Sequence, residues 1–437
     1  MIWEESTYKL EYDLNEYNIV AIRHFNMGAM ENKGLNIFNS KLIIANPQIS
    51  TDDELLRVES VIAHEYFHNW TGNRITCRDW FQLALKEGLT VFRDQSFTAD
   101  SHSSSLKRIE DVSLIRNSQF VEDSGPTSHA VQPNEYASID NFYTTTIYEK
   151  GAEIVRMLFI LLGRKAFMNG MKEFVRNFDG KAVTTSDFVK TLLSRKLQAD
   201  SQLDIDVDQF MLWYKKAGTP EIQVNRHWNS DEGKLTIKFT QSINDNKSLE
   251  AVFEPFVIPV KLALISLNST VVKEYLYVLD KIQGEYTISN LPRKKEIPIV
   301  SIFRGFSAPV KWSYDLSDSE TINILKKDND AVSCWDSSQF LLRKIICERA
   351  NERPKLLLEK DLIDTMCELF DLTASRDPEL LSKMLTFPMQ QEIESSQSLA
   401  DPIELYKSKS FLLSKFGKVL NKNLFSYIDN NASYNCK

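Results

Sequence analysis

The sequence predicts a multidomain α+β chain, mainly helical at both ends, with a small antiparallel β-sandwich between them. Three observations predict it. The chain has 437 residues, too many for one compact core at about 100–200 residues per domain. Apolar residues recur at helical spacing through most of the first half, at spacing two in the middle, and at helical spacing again after residue 316. Turn-forming residues punctuate both changes, first at "KKAGTPEIQV" and then near Pro309. The expected domains are therefore 1–218, 219–312 and 313–437.

Residues 1–50 mix strand-like runs, "YNIVAIRHF" and "KLIIA", around a glycine-containing loop, "NMGAMENKG". Thr51 and Glu54 then read as a capping box, in which hydroxyl and carboxylate each satisfy a free N–H at a helix start. Leu55, Val58, Ile62 and Tyr66 follow at about helical spacing. Further helices are expected at "DWFQLALKEGLTVFRD", "IYEKGAEIVRMLFILLG", "RKAFMNGMKEFVRNF" and "TSDFVKTLLSRKL". Residues 120–141 read as an irregular crossing, rich in polar and turn residues. In the middle of the chain, "KLTIKFTQ" puts Leu235, Ile237 and Phe239 on one face, and "PFVIPVKLALIS", "KEYLYVLD" and "EYTISNL" follow. Pro255 and Pro259 mark an edge or bulged strand, because proline gives no N–H to a ladder. Beyond residue 316, "SETINILKK", "SSQFLLRKIICERA" and "LIDTMCELFDL" are helical, and helix pairs could stack there.

Net charge is −8, which argues against a nucleic-acid binder driven by phosphate neutralisation. The five cysteines, Cys77, Cys334, Cys347, Cys367 and Cys436, are scattered and show no CxxC spacing. A reducing compartment, hence the cytoplasm, is expected. No apolar run approaches the roughly 20 residues a membrane span needs. The opening "MIWEESTYKLEYDL" lacks the basic and apolar regions of a signal peptide. It reads like a chain already inside a fold.

The chemistry concentrates in "VIAHEYFHNWTGNRI", residues 61–75, which holds two of the chain's six histidines. His64 and His68 are i and i+4, so on a helix both imidazoles face one ion. Glu65 is offset by about 100° around that helix. It is turned too far to ligate, but it can contact a water held by the metal. HExxH is the zincin pattern of two ligands and a general base. A helical His pair without metal is the plain alternative.

Zinc needs a third protein ligand, with the fourth position left for water. Eighteen residues separate Glu87 from His68, and Glu87 lies on an expected second helix. A turn at "TGNRIT", with Gly72 and Asn73, would fold it back. Leu83, Leu85 and Leu89 surround it with apolar surface, where a lone carboxylate is costly unless paired or metal-bound. The competing reading is a surface glutamate beside Lys86.

HExxH-x18-E together with "GAMEN" at 28–32 resembles the gluzincin M1 aminopeptidases. "FNMGAMENKGLNIFNSK", "HEYFHNWTGNRITCRDWFQL", "LKEGLTVFRDQ", "FYTTTIYEKGAEIVRM" and "WYKKAGTP" are similar to the bacterial aminopeptidase N, or alanyl aminopeptidase, type. The resemblance covers residues 1 to about 220 strongly and the rest only by order of domains. It implies a thermolysin-like zincin catalytic domain followed by the β-sandwich and a partial helical domain. It also implies one zinc per chain, held by His64, His68 and Glu87, with Glu65 as general base. The Tyr148 hydroxyl is then the donor to the oxyanion of the tetrahedral intermediate. Tyr143 is the competing candidate and a pocket residue. A free amino terminus needs carboxylates around one ammonium, and the family implies Glu31. The backbone of Gly28 and Ala29 would hold the peptide as an added strand. Met27 resembles the family's cushion at the first side-chain pocket, and Met30 joins this substrate-binding group.

The resemblance further implies that an N-terminal β-domain and much of the helical domain are missing, so that both ends look truncated. The expected activity is removal of single N-terminal residues, neutral or basic, from peptides by a monomer without nucleic-acid or membrane partners. The rivals are a thermolysin-like endopeptidase, a relative that hydrolyses an epoxide, and a catalytically silent interaction fragment. GAMEN argues against the endopeptidase, since an internal peptide has no ammonium to bind.

Overall fold

A computed structural model describes residues 1–243, 253–265, 273–397 and 399–431. Cys436 lies outside the described residues. The chain opens with helix α1 (Ile2–Thr7) and a three-stranded sheet of order β1-β3-β2. Its strands are β1 (Asn18–Ile22), β2 (Ala29–Met30) and β3 (Leu35–Asn39). The strand expected at "KLIIA" is instead a 3-10 turn, Ser40–Leu42. The Asn39 side chain accepts from the Lys41 N–H at 3.1 Å and bends the chain there.

Helix α2 (Asp52–Phe67) starts at the expected capping box. The Glu54 N–H donates to Thr51 Oγ1 at 3.2 Å, and the Thr51 N–H to Glu54 Oε2 at 2.9 Å. The chain reverses at Gly72, whose φ of +150° and missing Cβ let the turn lie against His68. A short strand β4 (Thr76–Cys77) pairs with β5 (Ala182–Val183). Helix α3 (Leu83–Ser101) packs on α2 and brings Glu87 back to it.

Helix α4 (Ser104–Leu114) runs through a π-helical segment, Ile115–Gln119, into α5 (Phe120–Ser124). The expected irregular crossing is thus helical over its first five residues. A second π turn, Thr146–Lys150, leads into α6 (Gly151–Phe178), which is broken at Gly163, the junction between the two helices expected there. Helices α7 (Thr185–Leu192), α8 (Arg195–Asp200), α9 (Val207–Phe210) and α10 (Leu212–Lys215) complete this part.

Strands β6 (Pro220–Asn229), β7 (Lys234–Ile243), β8 (Ile258–Ile265), β9 (Lys273–Leu279), β10 (Gln283–Ile288), β11 (Ile299–Ile302) and β12 (Lys311–Tyr314) form two sheets. Their orders are β10-β7-β6-β12 and β11-β8-β9. Leu235, Ile237 and Phe239 all face the core and are fully buried. Two expectations are corrected. Strand β8 is central rather than an edge. It tolerates Pro259 because β11 pairs only with Leu262–Ile265, leaving Pro259 laddered on one side by β9. The sandwich is also not wholly antiparallel, because β12 returns parallel to β6. That strand crosses residue 312, so the sheet ends at Tyr314.

The remainder is helical: α11 (Asp318–Lys327), α12 (Ala331–Ala350), α13 (Leu356–Ala374), α14 (Pro378–Leu385), α15 (Gln390–Ser395) and α16 (Pro402–Asn431). It has its own apolar core, centred on residues such as Leu341, Leu362 and Leu412. The first part and the sandwich instead share one core, bridged where the Trp213 indole N–H donates to the Val257 carbonyl at 2.8 Å. No described helix is long and apolar enough to cross a membrane.

Candidate active site

The last turn of α2 and the first turns of α3 converge on three donor atoms. His64 Nε2 and His68 Nε2 lie 3.0 Å apart, and Glu87 Oε2 is 3.3 Å from the first and 3.2 Å from the second. Two imidazole nitrogens this close, with a carboxylate oxygen beside them, form a donor set that can hold one cation. The fit to zinc is geometric. Bonds of about 2.0–2.2 Å at tetrahedral angles put ligand atoms roughly 3.3 Å apart, which is the observed triangle. Among the described residues this is the one His/Cys/Asp/Glu group so arranged.

Outer contacts fix both rings. His64 Nδ1 meets Asp94 Oδ2 at 2.7 Å, and His68 Nδ1 donates to the Thr71 carbonyl at 2.8 Å. Each ring therefore keeps its proton on Nδ1 and offers a bare Nε2 to a metal. Gly72 is required here, because a Cβ would sit 2.9 Å from His68 Nδ1. Glu87 is 3% exposed. Burial works to raise its pKa, but His68, Lys86 and His64 hold it well below the carboxylate range. The Lys86 ammonium lies 2.9 Å from Glu87 Oε1 and also contacts Glu31 Oε1. Glu87 is thus both beside Lys86 and buried, which removes the surface reading.

Glu65 is not one of the three converging donors and is buried, with no protein partner for Oε2 among the described residues. Burial pushes its pKa up to about 7, against the pull of His64 and His68. Glu31 is buried too, and its backbone carbonyl accepts from Asn73 Nδ2 at 2.9 Å. Burial raises its pKa, but His68 and Lys86 outweigh this and leave it lowered. The Tyr148 phenol is raised, first by burial and then by the charge of Glu87. The Tyr143 ring lies beside it, tilted by 37° with ring centroids 6.3 Å apart.

Strand β2 lies at the edge of its sheet and carries Ala29 and Met30. The Gly28 carbonyl is already committed to the Asn39 N–H at 2.9 Å. Ala29, one residue on, therefore presents its backbone to the open side, by the alternation of an antiparallel ladder. Met27 and Met30 are partly exposed, at 36% and 38%.

The family model of the Peptidase family M1 domain matches residues 1–214. The chain belongs to peptidase family M1. Residues 218–315 match a domain of unknown function with an Ig-like fold, DUF3458, and residues 318–436 match its C-terminal companion, described as ARM repeats. The chain is 40% identical over 434 residues to aminopeptidase N of Haemophilus influenzae, covering 96% of this chain and 48% of the relative. It is 38% identical over 423 residues to aminopeptidase N of Escherichia coli, covering 94% and 47%. A crystal structure of Legionella pneumophila aminopeptidase A in complex with aspartic acid superposes with a TM-score of 0.85 at 26% identity, covering all of this chain and 48% of that one. The chain spans about half the length of the curated relatives it matches.

Within this M1 chain, sequence reasoning missed several supporting groups. Asp94 stands seven residues after Glu87, two helical turns along the same face of α3. That spacing was the available signal. The Thr71 carbonyl carries no side-chain signal. The acidic pair Glu122 and Asp123 was hidden in a stretch that reads as a loop.

Proposed function

We propose that the chain is a zinc-dependent aminopeptidase that removes single residues from the N-termini of peptides. The single observation that carries this reading is the Lys86 ammonium, which contacts both Glu31 and Glu87 beside the His64–His68–Glu87 donor triangle. A cation is stable between those two carboxylates, at the edge of a metal site. A peptide's α-ammonium has the same chemistry, and an internal peptide bond has no such group. The relatives named aminopeptidase N support the same reading.

His64, His68 and Glu87 would hold one zinc ion, which when bound supplies Lewis acidity toward a carbonyl oxygen and a water. Glu65 takes a proton from the attacking water and returns it to the leaving amine. Its buried, poorly solvated carboxylate is basic enough for that exchange near neutral pH. The Tyr148 hydroxyl donates to the carbonyl oxygen as negative charge grows there. Glu31 accepts hydrogen bonds from the α-ammonium and sets the distance from the amino terminus to the cleaved bond. Ala29 on the free edge of β2 orients the peptide backbone, whereas the Gly28 carbonyl, expected to share that role, is taken by the Asn39 N–H of β3. Met27, Met30 and Tyr143 line the first side-chain pocket, with neutral or basic residues preferred.

We read the chain as three domains with limits near residues 218 and 312, acting as a monomer in the cytoplasm. The described cysteines, Cys77, Cys334, Cys347 and Cys367, are all unpaired, in keeping with a reducing compartment.

The test uses the full chain loaded with zinc and an alanyl anilide reporter. Turnover is expected, with loss on chelation and on acetylation of the amino group. Rapid cutting of the acetylated compound, or no turnover by a chain with zinc bound, would overturn the proposal.

A further inference from the structure

Tyr148 owes its place to the turn that carries it, and other parts of the chain grip that turn. Residues Thr146–Lys150 are π-helical, a conformation that occurs mostly as single turns and is frequent at functional sites. Glu122 holds the start. Its Oε2 accepts from Thr145 Oγ1 at 2.7 Å, from the Thr146 N–H at 2.8 Å and from Thr146 Oγ1 at 2.8 Å. Gln119 adds a bond from Nε2 to Thr146 Oγ1 at 3.2 Å.

Asp123 holds the end. Its Oδ2 accepts from Lys150 Nζ at 2.8 Å, and the same ammonium donates to the Gly218 carbonyl at 2.8 Å. Both side chains are almost fully buried, at 2% and 1% exposure. Asp123 also accepts from Thr219 Oγ1 at 2.9 Å and from the Gly218 N–H at 3.3 Å. The link into β6 is therefore tied to the carboxylate that anchors Lys150, two residues from Tyr148.

We propose that Glu122 and Asp123 are positioning residues for Tyr148, gripping the two ends of its turn and fixing where its hydroxyl points. The inference rests on the reading of Tyr148 as donor to the reacting carbonyl oxygen. A buried carboxylate that loses its donors is costly, so the Asp123 hold resists loosening of the turn, and part-buried Glu122 adds three hydrogen bonds at the other end. Misplacement of a reacting group by about 1 Å can cost about 100-fold in rate. Neither carboxylate is assigned contact with the substrate. Their effect passes through Tyr148.

Three measurements on the full, zinc-loaded chain test this. Glu122→Ala should speed amide hydrogen exchange across residues 144–151, and Asp123→Asn across 149–151, with zinc content unchanged. Glu122→Ala should lower kcat at least about tenfold while KM stays within about threefold, because the lost aim matters in the transition state. In a Tyr148→Phe background the same substitution should change kcat less than about twofold. Glu122→Gln, which keeps an acceptor oxygen, should restore most of the protection and the rate. Thr145→Val removes one donor and should move both readouts the same way by less, and it serves as the test if Glu122→Ala does not fold. Unchanged exchange in 144–151, or an equal fall in kcat with and without the Tyr148 hydroxyl, would overturn the proposal. If the native chain turns nothing over, the aminopeptidase reading fails by itself, and the exchange data decide whether the two carboxylates hold the turn.

Discussion

Glu65, which is buried, and Glu149, which is part-buried, are carboxylates with different consequences. Glu65 keeps one oxygen without a protein partner among the described residues. Glu65→Gln preserves shape and hydrogen-bonding capacity but cannot take a proton. It should retain zinc, measured by metal analysis, and lower kcat by about 100-fold or more; activity within about tenfold of native would end the general-base assignment. Glu149, next to Tyr148, is pushed up to about 8 from the ordinary 4.5, first by burial and then by Asp111 and Asp94. Its folded pKa lies above its unfolded one, so the folded state holds the extra proton between those values. The stability this gives is complete below about pH 4.5 and is lost as pH rises through about 8. Glu149→Gln should therefore raise the thermal midpoint above pH 8 and leave it nearly unchanged at pH 5. An equal shift at both pH values would contradict the assignment.

Helices α3 and α6 cross where neither has a side chain. A Cβ added to Gly88 would lie 2.6 Å from the Gly151 carbonyl carbon, closer than atoms can approach. That contact lets Glu87, one residue before Gly88, sit against the turn of Tyr148, three residues before Gly151. Backbone cannot step aside as a flexible side chain can. Gly88→Ala should push the helices apart, cost about 1–3 kcal/mol of stability, and reduce zinc occupancy. Calorimetry and metal analysis on one preparation check both effects, and a variant native-like in each would show that the crossing is not tight. The same element-scale logic explains β2. Its place at the sheet edge comes from pairing with β3 alone, and that is what leaves a backbone edge open beside Glu31.

Across the whole molecule, Arg108 ties the sandwich to the catalytic helices. It pairs bidentately with Glu153 on α6 at 2.6 and 2.7 Å, and it donates to the Gly305 and Phe306 carbonyls at 3.0 Å each. Removing one partner of a buried pair costs up to about 3–5 kcal/mol, and less than that here because Glu153 keeps Arg156 at 3.4 Å. Arg108→Met should lower the thermal midpoint and divide a single unfolding transition into two. One transition at the native midpoint would show that the domains are held by other contacts. The helical part is joined separately, through Arg116 on the π segment after α4, which meets Asp336 on α12 at 2.6 Å.

What the sequence alone determined is what local periods encode. The i, i+4 histidines, the Thr51–Glu54 box, the alternation at Leu235, Ile237 and Phe239, and the apolar setting of Glu87 each lie within a few residues of chain. Their physics is helix pitch, strand pleat and capping, which a short window contains. Tertiary structure alone decided that Asp94 faces His64, that Gly88 meets Gly151, and that β12 returns parallel to β6. It also decided that Glu122 and Asp123, in a stretch that reads as a loop, reach forward about 25 residues to grip the turn of Tyr148. These depend on pairs far apart in the chain, whose meeting is set by how whole helices pack and which backbone groups remain to be satisfied. No local period carries that information.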